Sequence, residues 1–389
     1  MTNITLFSQI IRKLDRSKFN KLVCEKATDK HNKGFNSWTH LISMLFCHFA
    51  KSQSVRDISN GLRSATGNLN HLGIEKAPSK SSISYQNKNR DWGLFKDYYF
   101  QLLDSLGQQA KFKQVKFKIK SKIFLLDSTT ISLCLSLFDW AKYKTAKGAV
   151  KMHTLLDYDG NLPAYVNITN GKTADNKGAY DIPLLKGSVI VADRFYNDFS
   201  LLNIWDSNGV YFVIRHKENL QFSTIKEIEL PNDKLQHILK DEIIKLKNET
   251  SFNKYPKKIR RVVVWDDVNK QTIELITNHF KWSPNTISEL YKSRWQIEIF
   301  FREIKQLLHI KSFIGTSENA VMIQIWTALI TILVLKALKA LAKYKWHLSN
   351  LVAFIRLNIF VKINLQEWLN NPFEEPPKKH INCIQGVLF

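Results

Sequence analysis

The sequence predicts a mixed α/β protein that follows a helical segment, and three features of the pattern support this. Residues 1–105 carry helical patterns, including a buried apolar run at 41–47. Residues 123–214 hold short apolar runs typical of buried strands, which alternate with helical stretches. Helical patterns return from Ser283-Pro284 onward, after a charged segment with strand patterns at 242–246, 260–265 and 272–277. We therefore expect a helical domain at 1–105, an α/β domain at 112–350 with a β-rich insertion at 217–278, and a tail at 351–389.

Two stretches of the helical segment have a recognisable start. Ser54 is a predicted N-cap, with Asp57 three residues later in the capping-box position. Residues 78–90 form a short polar and basic helix after a proline turn. A polar helix that follows a helix and a turn is typical of the recognition helix of a helix-turn-helix, but a solvated surface helix explains the pattern equally well. The lysine-rich stretch 111–122 predicts a linker or an edge strand.

Two predicted strands of the α/β segment lead to aspartates. The first strand is predicted at 123–129 and carries Asp127 at its end, and residues 189–192 run into Asp193. The other elements expected here are a hairpin at 151–156 and 164–169, a short helix at 175–185, a helix at 199–208 and a strand at 210–214. The tail contains Pro372, Pro376 and Pro377, and we expect it to be loosely packed.

The charge of the chain favours a polyanionic partner. The formal net charge is +23, and residues 1–122 hold 22 Lys and Arg against 8 Asp and Glu. An imbalance of this size indicates nucleic acid before membrane, although a generally basic proteome or simple solubility would also produce it.

Other features argue against secreted and membrane classes. The N-terminus lacks a long apolar segment followed by a cleavage site, so we expect no signal peptide. The apolar run at 320–335, within a helix predicted at 319–344, is short for a membrane span, contains Gln324 and runs into Lys336, which favours a core helix. We therefore expect a soluble, cytoplasmic protein with no membrane partner. The cysteines lack CxxC spacing and should be reduced, buried thiols rather than disulfide or zinc ligands: Cys24, Cys47, Cys134 and Cys383.

The helix predicted to start at Ser283-Pro284, with Ser283 as N-cap, has an unusual polar face. At about 100° per residue, four polar side chains fall within a stripe about 60° wide. An apolar stripe adjoins it, so one face should be buried and the next should present one carboxylate among cations and a phenol. The four residues are Tyr291, Arg294, Glu298 and Lys305.

Two strand aspartates and a helix glutamate can build a divalent-metal site for phosphoryl transfer. Each aspartate taken alone is as well explained as a loop or capping residue. That explanation weakens when both aspartates follow buried strands and precede this helix. For the polar stripe, the alternative is a solvated helical face with an intrahelical Arg294–Glu298 ion pair.

The Tyr-x2-Arg-x3-Glu-x6-Lys spacing resembles the signature of DDE transposases of the insertion-sequence-four type. The resemblance extends over about 120–345. It includes Asp127-Ser128-Thr129, Lys151-x-His153, Asp193-Arg194 and residues 311–321, whereas the first 100 residues match less specifically. One departure is the segment 171–175, where Thr and Ala stand in place of the His that relatives often carry before the Asp. It affects no expected catalytic residue.

The resemblance implies a ribonuclease H-like catalytic core with a β-rich insertion before the last catalytic helix, preceded by an all-α DNA-binding domain. Asp127, Asp193 and Glu298 would be the catalytic residues and metal ligands, with Asp127 bridging two Mg²⁺ ions. Carboxylates also hold Mn²⁺, which could substitute. Arg294 and Lys305 would contact DNA phosphates, and Tyr291 would donate to a phosphate oxygen.

Further candidates follow from the same resemblance. Lys151, Arg194 and Arg215 are weaker DNA-contact candidates, and His153 is expected to be structural. Trp265 could stack on a displaced base, although core packing is the commoner role.

The activity implied is that of a cut-and-paste transposase with hairpin ends. It would act on double-stranded DNA at element ends and target, as a homodimer in the DNA complex, at the bacterial nucleoid. Two alternatives are open: a ribonuclease H-like nuclease without strand transfer, and a non-enzymatic DNA-binding protein with a decayed core.

Overall fold

A mixed sheet with helices packed on it forms the centre of the protein. The computed structural model describes residues 3–32, 34–65, 67–107, 117, 119–133, 140, 142–144, 147–216, 220–230, 237–308 and 313–373. Several predictions fall wholly or partly outside these residues: the thiols Cys134 and Cys383, Pro376 and Pro377, and most of the stretch at 111–122.

The N-terminal part of the described chain is helical, as predicted. Ser54 accepts a hydrogen bond from the Asp57 N–H at 3.1 Å, so the predicted N-cap is confirmed. The connection between the fourth and fifth helices runs from 65 to 79, much longer than the short turn of a helix-turn-helix. The helices are α1 (Leu6–Ile11), α2 (Arg16–Glu25), α3 (Ser37–Ala50), α4 (Val55–Ser64), α5 (Lys80–Asn89) and α6 (Gly93–Gly107).

The sheet joins ten strands of the described chain in the order β2-β3-β1-β5-β6-β10-β9-β8-β7, with β4 also paired to β3. Strand β5 runs parallel to both β1 and β6, and the other pairs are antiparallel. The strands are β1 (Ile123–Leu133), β2 (Lys142–Lys144), β3 (Lys147–Asp157), β4 (Leu162–Asn170), β5 (Val189–Ala192), β6 (Tyr211–Arg215), β7 (Phe222–Glu227), β8 (Ile238–Leu246), β9 (Ile259–Asp266) and β10 (Gln271–Thr277).

The β-rich segment extends this sheet. Strand β10 pairs with β6, with Ile276 opposite Ile214, so the central strands continue directly into those of the segment. The three strands expected from the sequence are present as β8, β9 and β10, and β7 is an additional one. The short helix expected at 175–185 is reduced to one 3-10 turn at Lys177–Ala179.

The remaining helices follow or interrupt the strands. The one predicted to begin at Ser283-Pro284 is two helices, α9 and α10, and the prediction of one continuous helix was wrong. The bounds are α7 (Phe199–Ser207), α8 (Glu249–Lys254), α9 (Pro284–Ser293), α10 (Trp295–Leu308), α11 (Glu318–Leu341), α12 (Leu348–Leu357) and α13 (Leu365–Asn370).

Helix α11 is the central helix of the core. It is long and apolar enough to cross a membrane, but 83% of its most apolar window is buried inside the fold. It packs against α3, α5 and α6 on one side and α10 on another. One continuous apolar cluster contains α11 residues such as Leu333, N-terminal residues such as Leu45, and sheet residues such as Leu125. These contacts support the predicted core helix.

The tail is packed, contrary to our expectation for its described part. Helices α12 and α13 bury Leu351 and Leu369. The Leu6 and Phe7 N–H groups of α1 donate to the carbonyls of Val361 and Ile359 at 2.8 and 3.0 Å. Of the cysteines within the described residues, Cys47 is buried as expected, whereas Cys24 is exposed.

Candidate active site

Asp127 and Asp193 lie side by side at the carboxyl end of a parallel strand pair. The last paired residues of β1 and β5 are Leu126 and Ala192, and each aspartate is the next residue. The strand predicted at 123–129 is present but longer, because β1 continues past Asp127 to Leu133 along β3. Its neighbour β5 ends, however, which opens the sheet beside both carboxylates. Ligands bind in α/β sheets outside such strand ends.

The two aspartates share a face of the sheet with α10. Side chains alternate along a strand, so Asp127 and Asp193 lie on the face of Leu125 and Val191. Those two residues belong to the apolar cluster that also contains Ile297 and Phe300 of α10. Packing of α10 on this face therefore brings Glu298 towards the aspartates.

The break between α9 and α10 falls at Arg294. The Arg294 N–H donates to the Tyr291 carbonyl at 3.0 Å, and the Ile297 N–H donates to the Arg294 carbonyl at 3.1 Å. Both bonds span three residues, which tightens the backbone relative to an α-helix. Tyr291 thus belongs to α9, whereas Glu298 and Lys305 belong to α10.

A buried arginine fixes the segment that leads into α9. The Arg260 guanidinium pairs with both oxygens of Asp241 at 2.8 and 2.6 Å. It also donates to the carbonyls of Phe280 and Trp282, at 3.1 and 2.6 Å. These four bonds tie the added strands to the start of the helices that carry Tyr291 and Glu298.

The Arg294 side chain lies between two of the candidate carboxylates. Its Nη2 is 2.6 Å from Glu298 Oε1, and its Nη1 is 3.4 Å from Asp127 Oδ2. The intrahelical pair considered from the sequence is thus present, and the same guanidinium reaches across to the sheet. Its side chain is only 18% exposed, so this is a partly desolvated bridge rather than a solvated surface pair.

Burial raises the pKa of both strand carboxylates. Burial, and then the nearby Asp193 carboxylate, raises the pKa of Asp127 to about 7, despite the Ser128 N–H and Arg294. Burial also raises the pKa of Asp193, although the Phe195 N–H donates to its carboxylate at 2.8 Å. A nearby cation would favour the ionised form of both carboxylates, so the pair is suited to bind one.

All three carboxylates line one open cleft of about 570 Å³. Lys305 also lines it, and burial lowers the pKa of that ammonium group. Arg302, which was not among the residues predicted from the sequence, also lines the cleft. It follows Glu298 by four residues, so helical spacing could have predicted it. The full lining is Asp127, Ser128, Thr129, Asp193, Arg294, Glu298, Phe301, Arg302, Lys305 and Gln306.

The weaker DNA-contact candidates do not line this cleft. Lys151 is 3.0 Å from Asp175 and donates to the Thr173 carbonyl at 2.8 Å. Arg194 is exposed, with its guanidinium 5.7 Å from the ring centre of Phe195. Arg215 donates to Gln271 at 3.5 Å.

Three aromatic or histidine candidates also lie outside the cleft lining. Tyr291 is next to it, with its ring centre 5.8 Å from the guanidinium carbon of Arg294. His153 is buried and lies 2.9 Å from the Thr169 hydroxyl, as expected for a structural histidine. The Trp265 indole donates to Asp267 at 3.0 Å, in the turn between β9 and β10.

A fourth carboxylate, Asp175, lies on the other side of β1. The Ser128 hydroxyl donates to it, and Ser128 follows Asp127 on the strand. The buried phenol of Tyr196 is close to both aspartates: after burial, the charges of Asp127 and Asp175 raise its pKa well above the ordinary value. The sequence reasoning did not include Asp175 in the site. The one signal for it was its position at the end of segment 171–175, where the sequence departs from the family pattern.

The site's donor chemistry fits a divalent metal. Three carboxylates offer hard oxygen ligands, and Asp127 and Asp193 are adjacent at the ends of paired strands. Among the described residues, no three acidic, histidine or cysteine side chains are grouped closely enough to hold one ion as they stand. The Arg294 guanidinium lies between Asp127 and Glu298.

Comparison with known proteins agrees with this geometry. Residues 118–334, which contain all three carboxylates, match the family model described as a transposase DDE domain. The chain belongs to the DDE transposase family. Residues 2–75 match a second model, described as a domain of unknown function.

Three curated relatives are similar over most of the chain. The Probable transposase for insertion sequence element IS5377 of Geobacillus stearothermophilus is 27% identical, over 71% of this chain and 72% of its own length. The Putative transposase y4zB of Sinorhizobium fredii is 29% identical, over 67% and 71%. The Putative transposase for insertion sequence element IS4SA of Synechocystis sp. is 26% identical, over 74% and 80%.

These findings confirm the DDE transposase family and the enzyme class inferred from the sequence. The protein is a transposase of insertion sequences and an enzyme that acts on DNA with divalent metal ions. The alternative of a non-enzymatic DNA-binding protein with a decayed core is thereby set aside.

Proposed function

We propose that this transposase moves its element by cut-and-paste, through hairpin ends. The observation that carries the proposal is the convergence of Asp127, Asp193 and Glu298 on one cleft lined by Arg294, Arg302 and Lys305. Carboxylates beside basic side chains suit phosphodiester chemistry, in which a metal and a charged phosphate must lie together. We further propose a ribonuclease H-like core, supported by a mixed sheet whose parallel strands β1 and β5 end at the two aspartates.

The reaction would proceed in four transfers at phosphorus. Water first cleaves the transferred strand at the element end, leaving a 3′-hydroxyl on the element and a 5′-phosphate on the flank. That hydroxyl attacks the opposite strand, which closes a hairpin and releases the flank. A second water reopens the hairpin, and the restored 3′-hydroxyl attacks the target and expels a 3′-hydroxyl there. Each transfer forms one phosphorus–oxygen bond and breaks another.

The residues of the cleft have separate roles in this proposal. Asp127, Asp193 and Glu298 would hold Mg²⁺, or Mn²⁺ in its place, which when bound activates the attacking oxygen and neutralises the leaving one. Arg302 and Lys305 would bind the phosphates beside the scissile bond. Arg294 would keep the carboxylates of β1 and α10 aligned and reach a phosphate oxygen together with Tyr291.

The proposed partner is double-stranded DNA, at both element ends and at the target. A homodimer in the DNA complex would allow two ends to be processed together. The high positive charge of the chain supports a cytoplasmic site of action at the bacterial nucleoid. The N-terminal helices would bind element ends and the cleft would act on them.

The decisive experiment uses the purified full chain and DNA that carries the inverted repeats flanking the encoding gene. With Mg²⁺ we expect nicks at the element boundary, hairpin-length products on denaturing gels, and joining to a target plasmid. The mass of the DNA complex should correspond to two chains. Cleavage without joining would indicate the nuclease alternative, and joining without hairpin products would remove the hairpin step.

Lys305→Ala should impair DNA processing without affecting the fold. Lys305 lines the cleft on α10, and losing a charge-assisted phosphate contact costs on the order of 1.5–3 kcal/mol. That corresponds to a decrease of roughly 10- to 150-fold in affinity for the cleaved substrate. Titration with DNA in Mg²⁺-free buffer and a melting curve would measure the two effects.

Lys292→Ala is the matched control for this variant. Lys292 is on α9, is 58% exposed and pairs with Glu289 outside the cleft. Equal losses in the two variants, or early melting of Lys305→Ala, would show that Lys305 has no special contact with DNA.

A further inference from the structure

The exposed face of helix α5 has an unusual composition for a solvated helix, with basic, hydroxyl and aromatic side chains. No acidic residue occurs from 78 to 90, so this face lacks the ion pairs that usually cover an exposed helix. Tyr85 is 65% exposed, an unusually open position for a tyrosine on a helix of a packed region. The exposed residues on this face are Lys80, Ser81, Ser84, Tyr85 and Lys88.

The opposite face of α5 is firmly anchored. Ile83 and Asn87 are buried, and the Asn87 amide oxygen lies 2.7 Å from His40 Nε2 on α3. Asn319, in the first turn of α11, donates to the carbonyls of Asn87 and Arg90 at 2.9 and 2.8 Å. These bonds satisfy carbonyls at the end of α5 and fix it to the helix that packs against α10.

We propose that α5 is the helix that enters the major groove of the DNA at the element end and reads its sequence. The inference rests on the proposed function and adds the element that selects the substrate. A single helix fits the major groove of B-DNA. The two lysines of α5 can bind phosphates or guanine edges. Its serine and tyrosine hydroxyls can form hydrogen bonds with base edges or phosphate oxygens.

The anchoring has a consequence for where the DNA is cut. Because α5 is bonded to the start of α11, and α11 packs against α10, the reading helix and Glu298 are held in a fixed relation. The distance along the DNA between the bases that α5 reads and the cleaved phosphate should therefore be constant.

The test compares binding of element-end DNA and random duplex of equal length, without divalent metal. Ser84→Ala combined with Tyr85→Ala should reduce the ratio of the two affinities about tenfold or more, as expected for lost base contacts. Lys88→Ala should reduce the dependence of log affinity on log salt by about one unit. All these side chains are exposed, so the melting temperatures should stay unchanged.

Lys21→Ala is the control, because Lys21 is 76% exposed on α2 in the same helical part of the chain. We expect it to leave the affinity ratio unchanged. The inference is overturned if the Ser84→Ala and Tyr85→Ala combination keeps the wild-type ratio, if Lys88→Ala leaves the salt dependence unchanged, or if the wild-type chain does not prefer element ends. Cleavage in Mg²⁺ is scored separately, so a chain that prefers ends but never cleaves them would contradict the proposed function alone.

Discussion

Asp127→Asn should abolish DNA cleavage and joining while leaving DNA binding intact. The amide keeps the shape of the side chain and loses the charge that the metal requires. Replacing even an outer-shell partner of a metal ligand costs 10- to 100-fold, so loss of a ligand should exceed about 100-fold. A gel-shift assay and a cleavage assay on the same DNA would measure the two properties.

The same substitution should stabilise the metal-free fold at neutral and higher pH. Burial and Asp193 raise the pKa of Asp127 from 3.8 to about 7, so the folded protein favours the protonated acid. The cost of burying the ionised carboxylate is therefore absent at low pH, and the wild type loses stability as the pH rises from about 4 to 7. At about 1.36 kcal/mol per pKa unit, this loss is on the order of a few kcal/mol, and asparagine removes it.

Chemical denaturation at pH 5 and pH 8 would test this sign. The stability advantage of Asp127→Asn should be larger at pH 8, and Mg²⁺ should stabilise the wild type far more than the variant. Full cleavage activity in the variant, or an advantage that decreases with pH, would contradict the assigned role of Asp127.

Arg294→Ala should have the opposite effect on stability. The guanidinium is 18% exposed and bridges Asp127 and Glu298, so its removal leaves a cluster of carboxylates without their counter-charge. Charged hydrogen bonds of this kind contribute about 1.5–3 kcal/mol, well above the ~0.5 kcal/mol of a typical surface substitution. We expect a loss in that range without metal, together with poor cleavage.

Divalent metal should restore much of the stability lost in Arg294→Ala, because the cation replaces the missing charge. Lys305 forms no such bridge among the described residues, so Lys305→Ala should melt like the wild type both with and without divalent metal. If Arg294→Ala melts like the wild type without metal, the bridge contributes nothing to the fold and Arg294 serves DNA alone.

This stability prediction differs from what the sequence alone suggests for Arg294. Helical periodicity places Arg294, Glu298 and Lys305 on one stripe, which implies an exposed basic face. The segment from Tyr291 to Gln296 contains no proline or glycine, so nothing local predicts the break at Arg294. The break and the reach to Asp127 depend on packing against β1, which is separated from α10 by more than a hundred residues.

The predictable parts of the fold were those that depend on neighbouring residues. Capping at Ser283 and Ser54, the two buried strands, and the core helix α11 all follow from short-range patterns. Pairing of β10 with β6 does not, because many strands could satisfy the same edge. The helix α12 was missed although Leu348, Leu351, Val352 and Ile355 have helical spacing, because the prolines farther along suggested a loose tail.

The contacts of α1 bear on when the enzyme can first act during its own synthesis. The cleft lacks its third carboxylate until Glu298 has left the ribosome. The backbone N–H groups of α1 lack their native acceptors until Ile359 and Val361 have been synthesised. At about 5–20 residues per second, the N-terminal helices spend many seconds without these partners. A chain whose synthesis stops between Asp193 and Glu298 therefore lacks the third carboxylate, and we expect such a fragment not to cut the DNA of the cell.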